Sequence, residues 1–180
     1  MRHFSEIELL ASDSHGYFTA ASARSAGVVS GELDRWVKMG RLERPARGVY
    51  RLSGYPPSEL ETYILAVFSV GAGAYVYGES VLTMLNLVPM DPSRLFVASP
   101  RRVRRKVNAV VKVVSVRTGE RLEYYEGIPT QNLADAIRSS RGYVRHDRRV
   151  RAVDEALRQG YLNKSKWQEL KRELKNEATA

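Results

Sequence analysis

Residues 26–52, AGVVSGELDRWVKMGRLERPARGVYRL, join two unlike patterns in one short stretch. In the first half, Ser30 is placed to cap a helix whose Leu33, Trp36 and Val37 fall on one face at i, i+3 and i+4, and Gly40 ends it. In the second half, residues 42–44 and 49–52 read as short strands around the turn Pro45-Ala46-Arg47-Gly48. Upstream, Ser5 with Glu8 three residues on forms a capping box for a helix carrying Ile7, Leu9 and Leu10. Thr19 or Ala20 opens another helix, which stops at Gly27. Helix, short turn, helix and basic hairpin is the order of a winged helix-turn-helix. There the second helix of the pair enters the major groove, and the wing lies along the flanking phosphates.

The side chains suit those positions. Leu33, Trp36 and Val37 anchor the helix, which leaves Ser30, Arg35 and Lys38 outward. Arg35 is the best base reader, because a guanidinium pairs bidentately with guanine. Ser30 and Lys38 suit phosphates, and Arg41, Arg44, Arg47 and Arg51 populate the wing. Glu32 and Asp34 oppose a phosphate role. A helix N-terminus attracts acids on structural grounds, and both are read that way. The competing reading of the arginines is a solvated hairpin edge kept from aggregating by charge.

The double proline in SGYPPS, residues 53–58, breaks the chain into residues 1–55 and residues 56–180. Beyond it, 59–70 and 78–87 read as helices, and 95–98 and the valine-rich 109–116 as strands. Tyr124 and Tyr125 suggest another strand, and Thr130 is placed to cap a helix with Leu133, Ala134 and Ile137. Residues 149–174 read as two helices meeting near Gly160. The expected class is α+β: an N-terminal winged helix-turn-helix followed by a mixed α/β domain.

Composition narrows the functions. With 180 residues, 43% hydrophobic and 27% charged, the chain is ordinary for a soluble globular protein. The absence of cysteine removes disulfides, thiol chemistry and cysteine zinc sites, and it fits a reducing, cytoplasmic setting. The most apolar stretch, 63–87, is interrupted by Gly71, Gly73, Gly78 and Glu79, too broken for a membrane span. A net charge of +9 favours polyanionic partners, nucleic acid first. His3, His15 and His146 lack metal-ligand spacing, and the glycines of VGAGAYVYG match no phosphate-binding loop. The two ELK triplets at 169–171 and 173–175 sit in an amphipathic helix rather than on a nuclease strand. No enzyme and no cofactor are expected.

FTAASARSAGVVSGELDRWVKMGRLERPARGVYRL, residues 18–52, resembles the winged domain of the AbiEi antitoxin family. YVYGESVLTMLNL, RLFVASP and GIPTQNLADAI resemble that family's C-terminal antitoxin domain, in the same order. The resemblance implies a bacterial antitoxin of a type IV toxin–antitoxin pair linked to phage defence. It implies a transcriptional repressor of its own operon, which counteracts a nucleotidyltransferase-like toxin. By position, operator DNA binding falls on Ser30, Arg35, Lys38, Arg44, Arg47 and Arg51. Gly31 and Asp34 depart from the polar or basic helix such a role would favour.

Charge complicates that division. The net charge is +2 over residues 1–55, +2 over 56–130 and +5 beyond. Two clusters lie outside the winged unit: Arg101, Arg102, Arg104, Arg105 and Lys106, and then six arginines from Arg138 to Arg151 that include Arg148, Arg149 and Arg151. Both are candidates for contact with a toxin, its RNA target or more DNA, and both also read as solvated faces. The alternative overall reading is therefore a protein- or RNA-interacting antidote whose winged unit is mainly a scaffold.

Overall fold

The computed structural model describes residues 2–89, 93–104, 107–117 and 121–179. It is α+β, with a winged unit at the N-terminus and a larger sheet-and-helix unit after it. The first unit runs α1 (Arg2–Ser12), β1 (Tyr17–Thr19), α2 (Ala20–Ser25), α3 (Ser30–Lys38), β2 (Leu42–Ala46) and β3 (Val49–Leu52). Its antiparallel sheet has the order β1-β3-β2. Thr19 caps α2 in a reciprocal capping box with Ser22. Helix α1 begins at Arg2, ahead of the expected cap at Ser5.

Side chains alternate across β3, and that alternation separates two interiors. Phe18 and Tyr50 stack with ring centroids 5.6 Å apart, and they belong to the core formed with α1, α2 and α3. Tyr17 and Val49 face the other way and join the larger core with Leu60, Tyr63 and Ile64. The winged sheet is thus covered on both faces. Strand β2 carries a register shift between Glu43 and Ala46, where Pro45 lacks an N–H for the ladder.

The second unit runs α4 (Glu61–Val70), β4 (Tyr75–Val76), α5 (Glu79–Met84), β5 (Leu95–Ser99), β6 (Val111–Ser115), β7 (Leu122–Tyr125), β8 (Ile128–Gln131), α6 (Leu133–Ser139), α7 (His146–Arg158) and α8 (Lys164–Thr179). Its mixed sheet has the order β6-β5-β4-β8-β7. Strands β5 and β6 are parallel, so the chain returns along the sheet between Ser99 and Val111. The basic run at 101–104 lies on that return. Thr130 belongs to β8, and Asn132 caps α6 in its place by accepting from Ala134 N–H at 3.1 Å.

Helices α7 and α8 join the same core through Val153, Ala156, Leu170 and Leu174. Arg138 on α6 reaches Glu169 at 2.9 Å and Glu173 at 2.8 Å on α8. Asp154 receives Trp167 Nε1 at 2.8 Å and Lys171 Nζ at 2.8 Å. No described helix is long and apolar enough to cross a membrane.

The two units touch at a tight joint. Glu126 and Gly127 both have positive φ, 47° and 81°, and form the two-residue turn of the β7–β8 hairpin. A Cβ on Gly127 would lie 2.1 Å from the carbonyl oxygen of Asp13, and His15 Nε2 sits 3.0 Å from the Glu126 carbonyl. Gly127→Ala therefore meets both backbone strain and a backbone collision. It is expected to lower the unfolding free energy in a urea titration by about 1–3 kcal/mol. A loss of only a few tenths would show that the joint gives way at little cost.

Candidate nucleic-acid interface

Helix α3 is held from beneath and from its N-terminal end. Leu33 and Trp36 are buried, and Trp36 meets the Phe4 ring edge-on at a centroid distance of 5.0 Å. The Arg41 guanidinium lies 3.4 Å from the centre of that Phe4 ring. The N-cap is Val29 rather than Ser30, which is the first helical residue. Val29 has no side-chain acceptor, so Glu32 supplies one: its carboxylate accepts from Val29 N–H at 3.2 Å. His3 Nδ1 contacts the same carboxylate at 3.1 Å. Glu32 is thus engaged in fastening α1 to the start of α3.

Ser30, Gly31, Asp34, Arg35 and Lys38 are all exposed. At 100° per residue they share an arc of about 140° opposite the buried face. Arg35 and Lys38 make no ion pair among the described residues. Arg44 stands beside this face, 4.0 Å from Asp34 and 5.6 Å from the centre of the Tyr50 ring. Arg47 is exposed in the β2–β3 turn and is likewise unpaired among the described residues. The structure therefore brings Ser30, Arg35, Lys38 and Arg44 together beside α3 and puts Arg47 at the tip of the wing.

Arg51 is different. It shares the parity of Val49, so it points toward α4 and away from α3. Its guanidinium reaches Glu61 at 2.9 Å, the Tyr55 carbonyl at 2.8 Å and Glu43 at 3.6 Å, with only 13% of the side chain exposed. A side chain so engaged fastens the wing to the second unit and has no hand free for a phosphate.

The downstream clusters also divide. Arg101, Arg102 and Arg104 are exposed and unpaired among the described residues, while Arg105 and Lys106 lie outside the described residues. Arg148 is exposed. Arg151 pairs with Asp147 at 2.9 Å on its own helix. Arg149 is buried and paired with Glu177, so it ties α7 to α8 and does not meet a partner at the surface. Among the described residues, no cluster of three or more acids and histidines is arranged to hold a metal.

Two consequences can be measured. If α3 enters the major groove of an operator, Arg35→Ala should weaken specific binding by about 1–3 kcal/mol and relax base preference, as read by competition against random duplex. Equal loss on both duplexes would move Arg35 to a phosphate role. The second concerns pH. The Val29 N–H, with help from His3, holds the Glu32 carboxyl below the ordinary glutamate value of 4.5. A carboxyl with a lowered folded value stabilises fully above its ordinary value and loses that contribution as pH falls through the folded one. Glu32→Gln should therefore flatten the acid-side decline of Tm below about pH 5. An identical acid limb in both proteins would remove Glu32 as a contributor.

No curated protein matches the chain. Residues 5–53, which run from within α1 to just past β3, match the model of a family described as a transcriptional regulator, AbiEi antitoxin. The winged unit therefore bears out the resemblance to the AbiEi antitoxin regulators, over the very segment that presents α3 and the wing.

Proposed function

We propose that the protein is a cytoplasmic DNA-binding antitoxin, in which residues 1–55 bind the operator of its own operon and repress it. Residues 56–180 then counteract a nucleotidyltransferase-like toxin of a type IV pair, by contact with the toxin or with its RNA target, and the pair serves phage defence. The observation that carries this reading is the cation set Arg35, Lys38 and Arg47, exposed and without an ion pair among the described residues, on a winged unit matched by a regulator family. In this arrangement Arg35 reads a base edge from α3, while Ser30, Lys38, Arg44 and Arg47 contact phosphates on either side.

A second reading draws on the joint. Tyr17, Val49 and Arg51 all turn toward α4, so the winged unit also braces the larger one. On that reading it serves mainly as a scaffold for a protein- or RNA-binding antidote.

A gel shift on the DNA upstream of the protein's own gene, repeated across salt concentrations, separates the two. Operator binding should fall steeply with salt, and Arg44→Ala with Arg47→Ala should lower the slope by up to about 1.8, at roughly 0.9 per phosphate. Arg35→Ala with Lys38→Ala should abolish the shift while still rescuing growth against co-expressed toxin. Absence of any salt-dependent shift by the wild-type protein would favour the scaffold.

A further inference from the structure

Strand β6 closes one side of the five-stranded sheet, and β5 is its one neighbour among the described residues. Its bonds to β5 run through the even-numbered residues. Leu95 N–H donates to the Val110 carbonyl at 2.8 Å, and Val116 N–H donates to the Ser99 carbonyl at 3.2 Å. In a parallel pair, successive residues of a strand address opposite sides. Val111, Val113 and Ser115 thus turn their peptide groups away from the sheet. The Val111 N–H is taken by the Asn108 carbonyl at 2.9 Å. Among the described residues, the N–H groups of Val113 and Ser115 and the carbonyls of all three residues are left along the edge.

Sheet edges are commonly blunted by proline, a bulge or a projecting charge. Strand β6, VKVVS, has no proline, and it pairs with β5 in unbroken register over five residues. Its single charge is turned aside, because Lys112 Nζ donates to the Ala109 carbonyl at 3.1 Å. A regular, valine-rich edge with unused backbone groups is a template for an added strand.

Charge specifies the guest. Ser99 pairs with Ser115, so the chain leaves β5 at the end of the sheet where β6 runs on to Arg117, and Arg101, Arg102 and Arg104 line one hollow with Ser99 there. The Ser99 hydroxyl donates to the Arg101 carbonyl at 2.9 Å and accepts from the Arg101 N–H at 3.2 Å, which fixes the start of that segment. All four arginines are exposed, and none has an acidic partner among the described residues. The far end of the edge is preceded by Val107-Asn108-Ala109-Val110, which carries no charge. A second copy paired antiparallel would set its arginines against that neutral end and offer them no carboxylate.

We propose that β6 is a strand-addition site for an extended, acidic-ended segment of a partner protein. The guest pairs with Val111–Ser115 and sets its carboxylates against Arg101, Arg102, Arg104 and Arg117. Antiparallel pairing is the more stable arrangement per residue, and it brings the guest's N-terminal end to the arginines. The site lies on the second unit and uses nothing from α3, so it is independent of operator binding.

The test uses the full chain, isotopically labelled for amide NMR. The probes are a synthetic peptide of three glutamates followed by alternating valine and threonine, and its counterpart with lysines replacing the glutamates. The expected result is amide shifts centred on Val113 and Ser115, with the glutamate peptide bound at least about tenfold more tightly, as expected when opposite charge meets rather than like charge. Val113→Pro and Ser115→Pro each remove one outward donor and leave the bonds to β5 in place, so each should weaken the peptide about tenfold or more. If either variant melts early, Arg101→Gln with Arg102→Gln and Arg104→Gln leaves the strand untouched and should erase the preference for glutamate. Failure of the glutamate peptide to bind, equal binding of the two peptides, or shifts centred away from β6 would each overturn the proposal. So would self-association of the chain that Val113→Pro abolishes, since the edge would then belong to a second copy.

Discussion

The alternation of side chains along β3 is the constraint on which both units depend. Tyr50 packs among the winged helices, while Val49 and Arg51 turn toward α4. Because the period of a strand is two, a slip of one residue would drive Arg51 into the aromatic core and lift Tyr50 onto α4. Each interior therefore holds the other in register. Burying Val49 contributes on the order of 1.5–3 kcal/mol, and the same register delivers the Arg51 guanidinium to Glu61. The wing is placed as a consequence, since among the described residues β2 pairs with β3 alone and the turn at Arg47 follows from both.

Pairing sorts the arginines better than density does. The richest run, from Arg138 to Arg151, is largely spent on intramolecular work: Arg138 binds three acids, Arg149 is buried with Glu177, and Arg145 and Arg151 share Asp147. The sparser winged unit keeps Arg35, Lys38 and Arg47 unpaired among the described residues. A cation already neutralised by a neighbour must give up that contact before it meets a phosphate, so its net gain on binding is small. Net charges of +2 and +5 therefore do not rank the two segments by the cations they leave available to a partner.

The winged unit was legible because its signals are local. Leu33 and Trp36 at helical spacing, Gly40 and the Pro45–Gly48 turn each declare an element within a few residues. Strands β1 and β4 carry no readable local pattern, because they have three and two residues and draw their stability from partners far along the chain, and β8 has only four residues. One overlooked signal was within reach: Glu126-Gly127 between Tyr125 and Ile128 fits a two-residue hairpin turn. The wing position of Arg51 also failed on a readable rule, since Val49 is apolar and two residues away, hence on the same face. The burial of Arg149 was not readable, because its partner Glu177 lies on another helix, 28 residues on.

The base reading proposed for α3 demands that α3 and the wing be rigid relative to one another, since a recognition helix that rocks loses its contacts together. That rigidity comes from contacts that touch no ligand. Phe4 meets Trp36 in a near-perpendicular edge contact and holds the Arg41 guanidinium over its face, which locks α1, α3 and the residue before β2 around one ring. Glu32 closes the opposite end of α3 through Val29 and His3. Beneath the sheet, Val49 and the Arg51–Glu61 pair seat the hairpin on α4, so the larger unit stiffens the wing from below. On the proposed reading, the separation into a DNA-reading unit and an antidote unit is one of surface roles, while the packing that stiffens α3 and the wing belongs to both.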